Sequence, residues 1–348
     1  MNQRTHSWIA VRAIALLADE GKEKNLVKLL KPHARKATVG AWIPDQVDAK
    51  RGGAGSATDN HVLKMELYDG DDEERFITPK QELLKRIGTA RRTASFLEED
   101  ESLDDSWWST PYRGDVPKPG QHLPNRAMAL TTMMKDLLLM GDPVVDRLVP
   151  GRIRFAQYMD LEMRTTAEAA SMYFFMLSHF VADACMPCHC DGRKLAAYDE
   201  GLHKQLEGHW SKKVGTGFEK KKLLPPDLEL TESEARADAN RVLQQARDVD
   251  DKFGLEFRKP VPGLRPKQDV WLELINVCRA SFAVASIIAP PELYPYVDPD
   301  ARAPFDTVLG QGKEQLRDEV DKIVMHDAVL NTAIVWKHLW KKVSKLDA

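Results

Sequence analysis

The sequence predicts an all-α protein, and three observations carry that expectation. Apolar residues recur at helical spacing in one segment after another. Cap, glycine and proline residues fall where those segments end. No alternating apolar stretch is long enough to build a sheet of any size.

Trp8, Val11, Ile14, Ala15 and Leu17 space a first helix over Ser7 to Leu17. Glu23 to Lys31 reads as a short helix closed by Pro32. Ile43-Pro44-Asp45 marks an element boundary inside Gly40 to Asp48, because the residue before a proline is pushed out of helical geometry. Arg51 to Ser56, RGGAGS, reads as a loop. Thr78 caps a helix that begins at Pro79 and runs to about Leu97. A polar connection rich in Pro, Gly and Asp follows from about Asp104 to Pro119.

The next helix spans Pro124 to Met140, ended by Gly141. Met163 to Ala184 reads as a buried helix, apolar around Met172, Phe174, Phe175 and Leu177, with Pro187 marking its end. Leu195 to about Trp210 follows. Glu232 to about Phe253 is a long polar helix, with Thr231 and Glu234 spaced as a capping box. Asp269 to Ile288 and Gln315 to Lys342 complete the set. There is no internal repeat, sustained heptad or glycine-rich phosphate loop. The length of 348 residues suits one large domain or two small ones. A site that draws on both halves favours one, 1–348, with mobile segments expected near 51–60 and 104–121.

With 50 basic and 53 acidic side chains the net charge is only -3, which gives no global reason to expect a polyanion-binding protein. The N-terminus lacks the pattern of a secretory signal, and no apolar run reaches the length of a membrane span. A soluble protein without integral membrane association is the expectation, cytoplasmic unless the sequence is a processed form. Cys185, Cys188 and Cys190 crowd into six residues, with Cys278 distant. That suits a reducing compartment or a metal neighbourhood better than structural bridges.

The chemistry concentrates between His179 and Glu207. His179 and Asp183 are four apart, so a helix presents imidazole and carboxylate from one face, and His203 with Glu207 repeats that arrangement. His189 lies just past the proline break, where it could be aimed at either pair. Zinc accepts imidazole nitrogen and carboxylate oxygen. A carboxylate can also bridge two ions, which makes Asp183 the natural bridge. One such pair alone is usually a favourable electrostatic contact. Two pairs with a histidine between them, beside an oily helix, need partners that a metal supplies.

The string His179-x3-Asp183-x5-His189-x13-His203-x3-Glu207 resembles the central ligand string of the bacterial zinc-dependent phospholipase C family. Related nucleases that prefer single strands use a similar string with a different later spacing and a terminal aspartate. His6-Ser-Trp8-Ile9-Ala-Val-Arg12-Ala13-Ile14 resembles the family's first-helix segment. Gly40-Ala-Trp-Ile-Pro44-Asp45 resembles the segment with its catalytic aspartate, and His61 falls where the next histidine ligand stands.

The resemblance implies an all-α zinc hydrolase with three ions. His61, His179 and Asp183 would hold one, and His189, His203 and Glu207 a second. His6, the other Asp183 oxygen and the amine and carbonyl of Met1 would hold the third. Asp45 would orient or deprotonate the attacking water in hydrolysis of a phosphate ester. Where the phospholipases carry aromatic residues for choline, this chain has Gln46 and roughly Thr58, and Met1 lies five residues before His6, as in the nuclease branch. Three readings follow: a lipid headgroup phosphodiesterase, a nuclease or nucleotidase acting on single strands or nucleotides, and a zinc-stabilised binding or structural protein without activity. Any partner is then a small-molecule or lipid phosphate ester, or nucleic acid as substrate. The cysteines around His189 could be buried packing residues, neighbours of the ligands, or ligands for soft metals. Trp336 and Trp340 read as packing residues, and Trp107-Trp108 as a loop anchor or pocket rim. His209, six after His203, should face differently on that helix.

Overall fold

Helix α1 (Gln3–Glu20) is buried without interruption from Thr5 to Leu17. A helix buried on every face has to be wrapped by others. Here its close neighbours include α10 (Glu232–Arg247) and α13 (Glu314–Ser344). Its alanines at 10, 13 and 15 are fully buried, as are Trp8, Ile9 and Ile14, and the Trp8 indole donates to the Ala246 carbonyl of α10 at 3.0 Å. Each fully buried isoleucine contributes about 1.5–3 kcal/mol relative to an exposed one. The Asn2 side chain caps α1 by accepting from the Thr5 N–H, and Gly21, in the left-handed region at φ 72°, closes it.

The computed structural model describes residues 1–52, 60–63, 122–140, 166–191, 202–225, 231–264, 269–288 and 312–344. Among them the protein is all-α, with no strand. After α1 come α2 (Lys24–Leu30), α3 (Ala37–Gly40) and α4 (Ile43–Gly52). Next in the described chain are α5 (Leu123–Met140), α6 (Ala167–Ala184), the single turn α7 (Pro187–Cys190) and α8 (Lys204–Val214). Short α9 (Lys220–Leu223) and α11 (Asp250–Phe253) flank α10, and α12 (Val270–Ile288) precedes α13. One buried apolar cluster, from Met1 to Val343, runs through these helices other than α4. No described helix is long and apolar enough to cross a membrane.

Several boundaries differ from expectation, mostly at prolines. Pro32 does not end the helical path but begins a 3-10 helix, Lys31–Lys36, because a proline in a first turn gives up only an N–H that has no partner there. Pro44 sits in the first turn of α4 for the same reason, and α4 runs on through Arg51 and Gly52, so no loop begins at Arg51. Pro187 both follows α6 and opens α7. The polar helix expected over 232–253 breaks at Asp248 and Val249 into α10 and α11, while the capping box at Thr231 and Glu234 forms as expected. The expected helix over 79–97, the connection 104–121, Trp107-Trp108, residues 53–59 and the start of the helix expected at Leu195 lie outside the described residues. Trp336 and Trp340 are core residues, and the Trp336 indole donates to the Phe174 carbonyl at 2.9 Å.

Candidate metal centre

One turn of α6 places His179 and Asp183 on one face, with Asp183 Oδ2 3.0 Å from His179 Nε2. The helix stops at Cys185, Met186 is extended, and the turn α7 swings His189 back toward it. Residues 60–63 are pinned by two backbone bonds: Leu63 N–H donates to the His189 carbonyl at 3.1 Å and Leu123 N–H to the Val62 carbonyl at 3.2 Å. These hold His61 against α6, its Nδ1 2.9 Å from Asp183 Oδ2. His203 and Glu207 enter from the start of α8, 3.1 Å apart, and His203 Nε2 stands 3.1 Å from His189 Nε2. Asp45 comes from α4, and His6 and Met1 from the start of α1.

The residues expected to hold metal, with Asp45, therefore meet in one place. Three groups have donor atoms mutually within 4.8 Å: His6 with His179 and Asp183, Asp45 with His61 and His179, and His189 with His203 and Glu207. Asp45, expected to act on water, stands among donors, its Oδ1 3.4 Å from His179 Nε2 and 3.7 Å from His61 Nδ1. The two oxygens of Asp183 face different company. Oδ2 looks at His61 and His179, while Oδ1 lies 3.2 Å from the Met1 amine and 3.5 Å from each of His6 Nε2 and His189 Nδ1.

Hydrogen bonding alone does not account for this packing. The His179 Nδ1–H donates to the Ala41 carbonyl at 2.7 Å, which leaves Nε2 facing His61 Nδ1 at 2.9 Å and two carboxylate oxygens. A single proton cannot serve so many lone pairs, whereas one cation can, and a backbone carbonyl on the other nitrogen is the usual support of a metal-binding imidazole. Both ring nitrogens of His6 are buried without a hydrogen-bond partner, its ring stacked on His179 at 4.0 Å. Ligands of a four-coordinate ion with bonds near 2.1 Å lie about 3.4 Å apart, and the donor separations above bracket that distance. These groups could hold metal ions.

The electrostatics point the same way. Burial works against charge at His179, but Asp183 and Asp45 outweigh it and push its pKa up to about 10. Burial likewise opposes the Met1 ammonium, yet Glu207 and Asp183 raise it to about 11. Burial would lift the carboxyls, but His179 and the amine hold Asp183 far below the usual range, and the amine and His203 hold Glu207 below it. Buried carboxylates so placed demand a cation of some kind. His6, and His189 too, are driven toward the neutral ligand form chiefly by burial. Exposure is uneven across the cluster: the side chains of Asp45, His203 and Glu207 are 30, 25 and 23% exposed, against 2% or less for His6, His179 and Asp183.

No cysteine belongs to any of these groups among the described residues. Cys190 donates to the Ala184 carbonyl at 3.4 Å, where Ser281 also donates at 2.6 Å, so it helps close the end of α6. Burial raises the thiols of Cys185 and Cys278. Sequence reasoning missed two supports that leave little trace in residue type. One is the Ala41 carbonyl. The other is Asn2, whose amide donates to the Glu207 carbonyl at 3.2 Å while its oxygen caps α1. His209 faces differently, as its spacing predicts, and meets Asp321 instead.

No family model, curated protein or solved structure matches the chain.

Proposed function

We propose that the chain is a zinc-dependent hydrolase of phosphate esters, acting on a phosphodiester such as a phospholipid headgroup, in the manner of the bacterial zinc-dependent phospholipases C that its ligand string resembles. The observation that carries the reading is Asp183: one buried carboxylate whose two oxygens serve separate sets of donors. That is the arrangement by which a carboxylate joins neighbouring ions. The donor set of imidazole, carboxylate and amine, without thiolate, suits a borderline ion at four-coordinate spacing, and zinc fits that description.

Asp45, His61 and His179 with Asp183 Oδ2 would hold one zinc, and His189, His203 and Glu207 a second. Met1 and His6 with Asp183 Oδ1 would hold a third. Zinc so held supplies Lewis acidity toward a phosphoryl oxygen and acidifies water. The chain's own contribution is to exclude solvent from the floor and leave a polar mouth. Asp45, the most exposed of the three carboxylates, aligns water at the lip and accepts its proton. Three carboxylates against three divalent ions leave positive charge in excess, so an anionic ester is drawn in and a neutral one is not.

A second reading, a nuclease or nucleotidase, is favoured by one observation. Gln46, next to Asp45, is exposed and offers no aromatic face to a quaternary ammonium. A panel of short-chain phosphatidylcholine, another phospholipid, single-stranded DNA and RNA, and a chromogenic phosphodiester separates the two. Turnover by zinc-loaded protein that disappears in Asp45→Asn, while all its metals remain bound, supports the hydrolase. No turnover of any phosphate ester, with zinc bound, leaves the zinc-stabilised structural protein instead.

A further inference from the structure

The carboxylate of Asp321, on α13, is fully buried, and three donors from α8 converge on it. Trp210 Nε1 donates to Oδ1 at 2.7 Å, while His209 Nε2 and Lys213 Nζ each reach Oδ2 at 2.6 Å. Burial by itself would raise this carboxyl, but His209 and Lys213 outweigh it and hold it below the usual range. Three other contacts tie α8 to the start of the chain: Arg4 donates to the Ser211 carbonyl at 3.1 Å, Asn2 to the Glu207 carbonyl at 3.2 Å, and the Met1 amine stands 2.8 Å from Glu207 Oε1. The first two grip the backbone and the third a single side chain. Asp321 grips three side chains at once, and so fixes how far α8 is turned about its own axis.

That rotation matters because Glu207 lies three residues before Trp210, about 60° away around the helix. A turn of about 20° would carry a carboxylate 5–6 Å from the axis by about 2 Å. Metal–ligand distances tolerate only about 0.2 Å. We infer that Asp321 is a positioning residue of the centre: through Trp210, His209 and Lys213 it sets the rotation of α8 that brings His203 and Glu207 onto His189. The inference rests on the metal reading of those three ligands.

The test is zinc affinity of metal-depleted full chain, measured by competition with a chromophoric chelator, in the wild type, Asp321→Asn, Lys213→Met and Glu207→Gln. Cobalt substitution gives a spectroscopic signature for each class of site, and circular dichroism reports helix content. Asp321→Asn is expected to weaken by about 10- to 100-fold the same class of site that Glu207→Gln removes, and to leave the others within about twofold. Lys213→Met, which keeps the carboxylate, should show a smaller loss confined to that class, and it carries the test if Asp321→Asn does not fold. Unchanged affinities, or a uniform loss over all classes that follows stability, overturn the role of Asp321 alone. A wild type that takes up no zinc overturns the metal reading and this inference together.

Discussion

Gly40 and Phe175 stand so close that a Cβ on the glycine would lie 2.6 Å from the Cβ of the phenylalanine, with the Met172 carbonyl at 3.3 Å. The bare backbone at 40 lets the turn before α4 rest on α6. One helical turn beyond Phe175 is His179, held by the Ala41 carbonyl, and Asp45 follows four residues after that carbonyl. The packing of a glycine thus sets the spacing of two donors.

Gly40→Ala should therefore cost about 1–3 kcal/mol of stability, the usual penalty of forcing a methyl into a filled interior. It should also weaken metal binding at Asp45, His61 and His179. Gly208 gives the opposite case: it lies in α8, and a Cβ there would meet nothing within 4 Å. Gly208→Ala should stabilise by about 0.5–1 kcal/mol. Denaturant unfolding of both variants checks the pair, and effects of the same sign would refute the packing argument.

The Met1 amine is buried 3.2 Å from Asp183 Oδ1 and 2.8 Å from Glu207 Oε1. Joining a residue ahead of Met1 replaces the amine with an amide, which neither ligates zinc well nor neutralises carboxylates. A chain extended by one glycine before Met1 should bind one zinc fewer than a chain that begins at Met1. Elemental analysis of the two forms, each with its first residue verified by mass spectrometry, decides the matter. Equal zinc content would show that the amine is no ligand.

Away from the centre, Arg35 makes a two-pronged contact with Asp238, Nη2 to Oδ1 at 2.7 Å and Nε to Oδ2. Arg35 is the chief cause that holds the Asp238 carboxyl below its usual range. A depressed carboxyl adds stability that is complete above its unfolded pKa and fades as pH falls through the folded one. Acid unfolding of Asp238→Asn should accordingly show a shallower loss of stability below about pH 4 than the wild type. Parallel curves would mean that the pair contributes nothing to the acid limb.

Much of the centre was legible because its chemistry is periodic. His179 and Asp183, and His203 and Glu207, repeat an interval that only a helix turns into a shared face. The core face of α6 could likewise be read from its apolar residues. The ends of elements were harder, since Pro32, Pro44 and Pro187 each open a helical turn that a proline could as well have closed. Asp45 was legible as a site residue but not as a neighbour of two imidazoles, because a long span of chain separates it from His179. Asp321 left no sign in the sequence: its partners lie on another helix, and nothing in its own segment distinguishes it from a surface acid.

The central claim is that one carboxylate holds ions together, and zinc stoichiometry of the full chain tests it most directly. Metal-stripped wild type and Asp183→Asn would be dialysed against zinc and analysed for bound metal. The account predicts about three ions per chain in the wild type and about one in the variant, left at His189, His203 and Glu207. A wild type that retains no zinc, or a variant that binds as much as the wild type, would contradict it.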